Sequence, residues 1–241
     1  MGLLEVQSLT KYFKGLRAVH NLSFALEEKE IFGLIGPNGS GKTTVFNMIS
    51  GLYIPSGGSV SFRGENITGL EPNRICYLGI GRTFQVTKPF LKLTVLENVM
   101  IGALNRTNSV REAQGRAREI LAQMDLGDKA DARGKDLTVP ERKRLELARA
   151  LATEPRLLLL DEVMAGLNPA ELNEMIGVLK GIREKGVTLF IVEHIMHAIM
   201  TISQRVLVLH HGEMIAIGTP QEVVGNAKVV EAYLGEEYSF A

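Results

Sequence analysis

The sequence predicts an α/β fold: a parallel sheet at the centre, a small antiparallel sheet in the N-terminal part, and an α-helical subdomain inserted between two halves of the parallel core. Three observations predict it. Runs that are apolar throughout, IFGLIG (Ile31 to Gly36), LLLLDE (Leu157 to Glu162) and TLFIVEH (Thr188 to His194), suit strands buried on both faces. Short alternating runs, LLEVQSL, then Leu22, Phe24 and Leu26, then SVSF (Ser59 to Phe62) after the turn PSGG, suit an antiparallel sheet. Between about 86 and 153 strand signals are scarce and helical ones are dense.

The elements follow in order. The alternating runs come first, and IFGLIG then feeds a glycine-rich turn and the helical pattern VFNMISG. In the middle, TVLENVM opens with Thr94 and Glu97 spaced as a capping box, and VREAQGRAREILAQMDL has a helical period. DLTVPERKR opens another helix, with Thr138 as N-cap, Glu141 three residues on and Pro140 in the first turn, where a missing N–H costs little. Its basic run, residues 142 to 144, reads as the solvated face of that helix. After LLLLDE, the segment NPAELNEMIGVLKGIREKG places Leu172, Met175, Ile176, Leu179 and Ile182 on one stripe and ends at Gly186. Strand, helix and strand then make a right-handed crossover. The expected organisation is one domain over 1–241, with 1–85 and 154–241 as core and 86–153 as helical subdomain.

The chain has 241 residues, with 27 Lys+Arg against 27 Asp+Glu. A formal charge of zero gives no global pull toward nucleic acid or an anionic membrane, which counts against a nucleic-acid partner. The single cysteine, Cys76, excludes an intrachain disulfide and a cysteine-based metal cluster and fits a reducing compartment. No apolar run approaches the roughly 18 to 20 residues that span a bilayer, and MGLLEVQSLTK lacks the pattern of a signal peptide. No low-complexity tract or internal repeat is evident.

The chemistry starts at GPNGSGKTT: Gly36, Pro37, Asn38, Gly39, Ser40, Gly41, Lys42, Thr43 and Thr44. It matches G-x-x-x-x-G-K-[ST] in full, after a buried strand and before a helix, the context a phosphate-binding loop demands. Glycines let backbone N–H groups converge on a phosphate, Lys42 adds a point charge on the β/γ oxygens, and the Thr43 hydroxyl suits Mg²⁺. This makes the core that of a P-loop NTPase, RecA-like, with ATP and Mg²⁺ as cofactors. Asp161, ending a buried strand, suits a water-mediated hold on the same ion, and Glu162 can polarise a water for attack on the γ-phosphate.

GPNGSGKTT, GRTFQ, a helix start before RKRLELARAL, LLLLDE, GLNP and IVEH, in that order over essentially the whole chain, resemble the ATP-binding subunit of an ABC transporter. GRTFQ with PFLKLTVLENVMIGAL, and the tail GTPQEVVGNAKVVEAYLG, look like the ATPases of branched-chain amino acid uptake systems. The tail is also similar to the lipopolysaccharide-export ATPase, and the form RTFQ favours the former. The resemblance implies that Phe13, with Tyr12 as the substitute, stacks on adenine. It implies that Gln85 senses Mg²⁺ and the attacking water, and that His194 contacts the γ-phosphate. His197 completes H-x-x-H with no third ligand in view, and Asn168 stands where the family has Asp.

DLTVPERKR occupies the position of the signature LSGGQ, which closes over ATP held by the opposite subunit. Leu137, Thr138, Val139, Pro140 and Glu141 keep a hydroxyl and the helix dipole. They lose the glycine pair and one N–H, and they add a negative charge. A heterodimer with a second ATPase subunit is therefore favoured over a homodimer. Transmembrane permease subunits and, indirectly, a periplasmic or extracellular binding protein complete the implied assembly, peripheral on the cytoplasmic face of the plasma membrane. The other reading is a non-transport ABC-type ATP-binding scaffold with weak turnover.

Overall fold

The computed structural model describes residues 2–84 and 89–237. It opens with an antiparallel hairpin, β1 (Leu4–Phe13) and β2 (Leu16–Leu26), whose burial alternates along the strands. β3 (Ile31–Ile35) is buried at every residue and runs into the glycine loop and α1 (Lys42–Ile49). The chain returns to the hairpin through β4 (Gly57–Phe62) and β5 (Glu65–Asn66), giving a four-stranded sheet ordered β2-β1-β4-β5. α2 (Pro72–Leu78) and the short β6 (Ile80–Arg82) come next. β6 is a strand that the residue pattern did not announce, because three residues are too few for a period.

Three helices occupy the middle: α3 (Val95–Ala103), α4 (Val110–Gln123) and α5 (Val139–Leu151), with α3 packed on both of the others. Both halves of the first capping box form, Thr94 N donating to Glu97 Oε2 at 2.7 Å and Glu97 N to Thr94 Oγ1 at 3.1 Å. Asn98, fully buried, accepts from Phe90 N at 2.8 Å and donates to the carbonyls of Phe90 and Thr94, so the loop before α3 is stitched to its first turn. Arg106 ties this region to the core, donating to the carbonyls of Thr153, Tyr77 and Cys76.

The remainder is β7 (Leu157–Asp161), α6 (Pro169–Glu184), β8 (Thr188–Val192), α7 (Met196–Ile202), β9 (Arg205–His210), β10 (Glu213–Gly218), α8 (Pro220–Val224) and α9 (Ala227–Glu237). The large sheet is ordered β10-β9-β3-β8-β7-β6, parallel except for β10 at one edge. Its inner strands are apolar throughout because alternate residues serve two different cores. Ile31, Leu158, Leu160, Leu189 and Ile191 face the helices of one layer. Phe32, Leu34, Leu157, Leu159 and Phe190 face α1 and the antiparallel sheet. No helix among the described residues is long and apolar enough to cross a membrane.

Candidate active site

The parallel strands present their C-terminal ends side by side, β3 between β9 and β8 and β8 next to β7, and in such sheets ligands bind outside those ends. β3 delivers the glycine loop. Two of its glycines answer to crowding: a Cβ on Gly36 (φ 151°) would stand 2.1 Å from Leu209 O, and one on Gly41 (φ 106°) 2.6 Å from Ala18 O. Gly41 caps α1 with no side-chain partner, and no acid sits in the first turn, so the helix opens toward the loop with its donors unopposed by negative charge. Lys42, 6% exposed, folds its Nζ onto Gly36 O at 2.7 Å and Pro37 O at 2.8 Å. Ser40 Oγ is buried without a hydrogen-bond partner among the described residues.

A cleft of about 400 Å³ runs along this loop, lined by Asn38, Gly39, Gly41, Lys42, Thr43 and Thr44, and across it by Glu162 and His194. β7 and β8 are in register, Asp161 beside Val192, so the two acids and the histidine leave neighbouring strands at one level. His194 Nε2 lies 2.7 Å from Glu162 Oε1. The structure thus brings Lys42, Thr43, Thr44, Glu162 and His194 to one cleft.

Asp161, 2% exposed, uses Oδ2 for Arg82 Nη2 at 3.3 Å, while Oδ1 is buried with no partner among the described residues. Burial pushes its pKa up, and the Arg82 guanidinium opposes that. An orphan carboxylate oxygen in a second cleft, of about 770 Å³, that Thr43 also lines fits a divalent cation held between the two residues. Gln85, the third expected metal-side residue, lies outside the described residues. Phe13 stands at the end of β1, paired across the hairpin with Leu16, which lines the cleft along the glycine loop. Its ring meets Tyr53 edge-on with centroids 5.3 Å apart, and Lys11 Nζ is 5.1 Å from its centroid.

Several residues of the site escaped the sequence reading. Arg82 also donates to Asn47 Oδ1 at 2.7 Å and Ser50 Oγ at 2.8 Å and lies over Phe84. Arg17 and His211 line the cleft along the glycine loop. Tyr53 joins Phe13. Arg82 belongs to the RTFQ motif, which by itself gives it no partner, and Arg17, Tyr53 and His211 stand in no recognisable spacing with the loop, so only the fold could assemble them.

The basic run at 142 to 144 differs from the solvated face that its charge suggests. It is not a solvated face: Lys143 is 8% exposed, and Arg144 bonds Asp125 at 3.1 Å and Glu174 at 2.5 Å. Lys143 stands four residues before buried Leu147 and therefore on the inward stripe of α5, a spacing legible in the sequence. Burial lowers its pKa, opposed by the charges of Glu193, Glu146 and Glu162. At the start of α5, Glu141 accepts from Thr138 N at 2.9 Å and pairs with Lys129, so its charge is partly neutralised, and Val139 is 56% exposed. Asn168 is the N-cap of α6, its Oδ1 accepting from Ala170 N at 2.9 Å and Glu171 N at 3.1 Å, a role that needs no negative charge.

Glu193, 1% exposed, has its pKa pushed up to about 7, first by burial; the hydrogen bond from Met164 N and the charge of Lys143 oppose this. Its folded pKa lies above the ordinary value of 4.5, so the folded state binds the extra proton. Stability from this group is complete below pH 4.5 and is lost as pH rises through about 7. At 1.36 kcal/mol per unit the loss is about 3 kcal/mol. Urea unfolding from pH 4.5 to 8 is expected to give a flatter stability profile for Glu193→Gln than for the wild type; parallel profiles would refute the assignment.

Residues 19–165 match the family model described as ABC transporter, and residues 213–239 match that of the branched-chain amino acid ATP-binding cassette transporter. The chain is 40% identical to the high-affinity branched-chain amino acid transport ATP-binding protein LivG of Salmonella typhimurium, over 97% of this chain and 98% of that protein. It is 38% identical to the corresponding protein BraF of Pseudomonas aeruginosa, with the same coverage. A crystal structure of the ADP conformation of an ATP-binding cassette of an ABC transporter is 30% identical, with a TM-score of 0.89 over 98% of this chain and 99% of that one. A family model that covers residues 19–165 and relatives that match almost from end to end lead to one conclusion: the chain belongs to the ABC transporter family, as an ATP-hydrolysing subunit.

Proposed function

We propose that this chain energises uptake of branched-chain or related amino acids, as one of two different ATPase subunits on a transmembrane permease at the cytoplasmic face of the membrane. The observation that carries the hydrolytic part is the meeting of Lys42, Thr43, Glu162 and His194 in one cleft. The names of the relatives support the cargo. The exposed Phe84 and Ile101 in the larger cleft give a permease segment an apolar foothold.

The residues divide the work. Phe13, aided by Tyr53, offers a ring to adenine. Gly36, Pro37, Asn38, Gly39, Ser40, Gly41, Lys42, Thr43 and Thr44 surround the phosphates, and Thr43 and Asp161, with Gln85, would hold Mg²⁺. When bound, that ion supplies positive charge against the charge developing on the transferring phosphoryl group. Glu162 takes the proton of the attacking water, and His194 orients the Glu162 carboxylate through their hydrogen bond. Residues 1–85 and 154–241 form the catalytic core in this reading, and 86–153 the arm that meets the permease.

The altered signature start, exposed Val139 followed by Pro140, offers fewer backbone donors than a glycine pair. Removing one preorganised donor costs about 10²-fold or more in rate. ATP turnover is therefore expected to be slow for the chain alone and fast once a second ATPase subunit and permease are added. Robust hydrolysis by the chain alone overturns the two-ATPase arrangement. Uptake of labelled leucine, isoleucine and valine into vesicles holding the complete transporter tests the cargo, and ATP turnover without uptake of any of the three overturns it.

A further inference from the structure

Glu162 has φ 53°, a left-handed backbone that a glutamate rarely adopts. Such a residue is strained and persists only where its surroundings over-determine it. The surroundings here are specific. Glu162 N donates to Val192 O at 2.9 Å, which ties the turn to the end of β8. Lys143 Nζ reaches out of α5 and donates to Glu162 O at 3.1 Å. Two residues further on, Met164 N donates to Glu193 Oε1 at 2.7 Å. The turn after β7 is thus held by two buried side chains of opposite charge, one from the helix that begins with the altered signature and one from the residue before His194.

Neither side chain has an ordinary structural reason to be there. An ammonium and a carboxylate at 8% and 1% exposure are costly to bury, and hydrophobic residues of similar volume in such places are often neutral or stabilising. Glu193 Oε2 is moreover buried without a hydrogen-bond partner among the described residues, so the carboxylate is not placed to satisfy itself. The pair's effect is local: it fixes the backbone on both sides of the Glu162 side chain, which lies at the edge of the phosphate cleft.

We infer that Lys143 and Glu193 are positioning residues for ATP hydrolysis, holding the 161–164 turn so that the Glu162 carboxylate is aimed at the attacking water. This rests on the reading of Glu162 as the group that activates that water. A misplacement of about 1 Å at a reacting group can cost about 10²-fold in rate while leaving substrate contacts intact. The effect belongs in kcat, because neither side chain lines the phosphate cleft.

The test uses the chain assembled with its partner ATPase and permease at pH 8. Lys143→Met and Glu193→Leu, which remove the donor to Glu162 O and the acceptor for Met164 N, are each expected to lower kcat by about 10- to 100-fold. The affinity for ATP should stay within about twofold of the wild type, since no phosphate contact is removed. Lys143→Arg, which can still donate to the Glu162 carbonyl, should recover most of the turnover. Where Lys143→Met lowers thermal stability too far to assay, Glu193→Leu compared with Glu193→Gln decides, because Gln keeps the shape and the acceptor for Met164 N and should retain most of the turnover. Wild-type turnover abolished by Glu162→Gln but untouched in folded Glu193→Leu overturns the positioning role and leaves the reading of Glu162 intact. Turnover that survives Glu162→Gln overturns that reading itself and this inference with it. Loss of ATP affinity in step with kcat, or no recovery in Lys143→Arg, assigns the pair to structure alone and also overturns the inference.

Discussion

Glu162→Gln is expected to bind ATP as the wild type does and to lose about 10²- to 10⁴-fold in turnover, the range associated with general acid–base groups. The substitution is nearly isosteric, and Gln retains an acceptor for the His194 ring, which stands 2.7 Å from Glu162 Oε1. Backbone tethers to Val192 O and from Lys143 Nζ do not involve the carboxylate and persist. Only the capacity to take a proton is removed. A kcat loss with unchanged ATP affinity therefore isolates the chemical step. Calorimetric titration with MgATP and steady-state hydrolysis in the assembled transporter measure the two halves separately, and wild-type turnover in the variant would remove Glu162 from its role.

Lys42→Ala is expected to act earlier, on binding. Hydrogen bonds to charged groups contribute about 1.5–3 kcal/mol each, so losing one to a phosphate weakens affinity by about 10- to 150-fold. The structure adds a second cost. Nζ bridges the carbonyls of Gly36 and Pro37 inside the loop, and alanine leaves both without that donor. The loop then has to be ordered by the nucleotide itself, which lowers affinity further. Unaltered calorimetric affinity in a folded Lys42→Ala protein would contradict the assignment of this loop.

Much of the site was legible because its signals are local. Gly36 to Thr44 is a contiguous motif whose residue types answer to one loop conformation, and the cradle is visible as soon as the loop comes after a buried strand. Asp161, Glu162 and His194 could be placed because a fully apolar run signals a central strand, and the residues at its C-terminal end sit at the ligand-binding edge of a parallel sheet. The reading of residues 142 to 144 failed for a different reason. A basic run suggests a solvated face, although Lys143 falls on the same stripe as Leu147; the partners that hold a charge in that place are not contained in the local pattern.

Residue order alone was enough for the parallel core and its apolar strands, the capping boxes at Thr94 and Thr138, the phosphate loop, and the family to which these belong, because each is written within a few residues of chain. Three-dimensional packing was needed to show that Arg82 bonds Asp161 across 79 positions, that Lys143 supports Glu162 from 19 residues away, and that Tyr53 stands beside Phe13. Periodicity reports which face of an element is buried. It says nothing of which distant polar group meets that face, since the pairing is fixed by strand order and helix placement, and those arise from packing the whole chain.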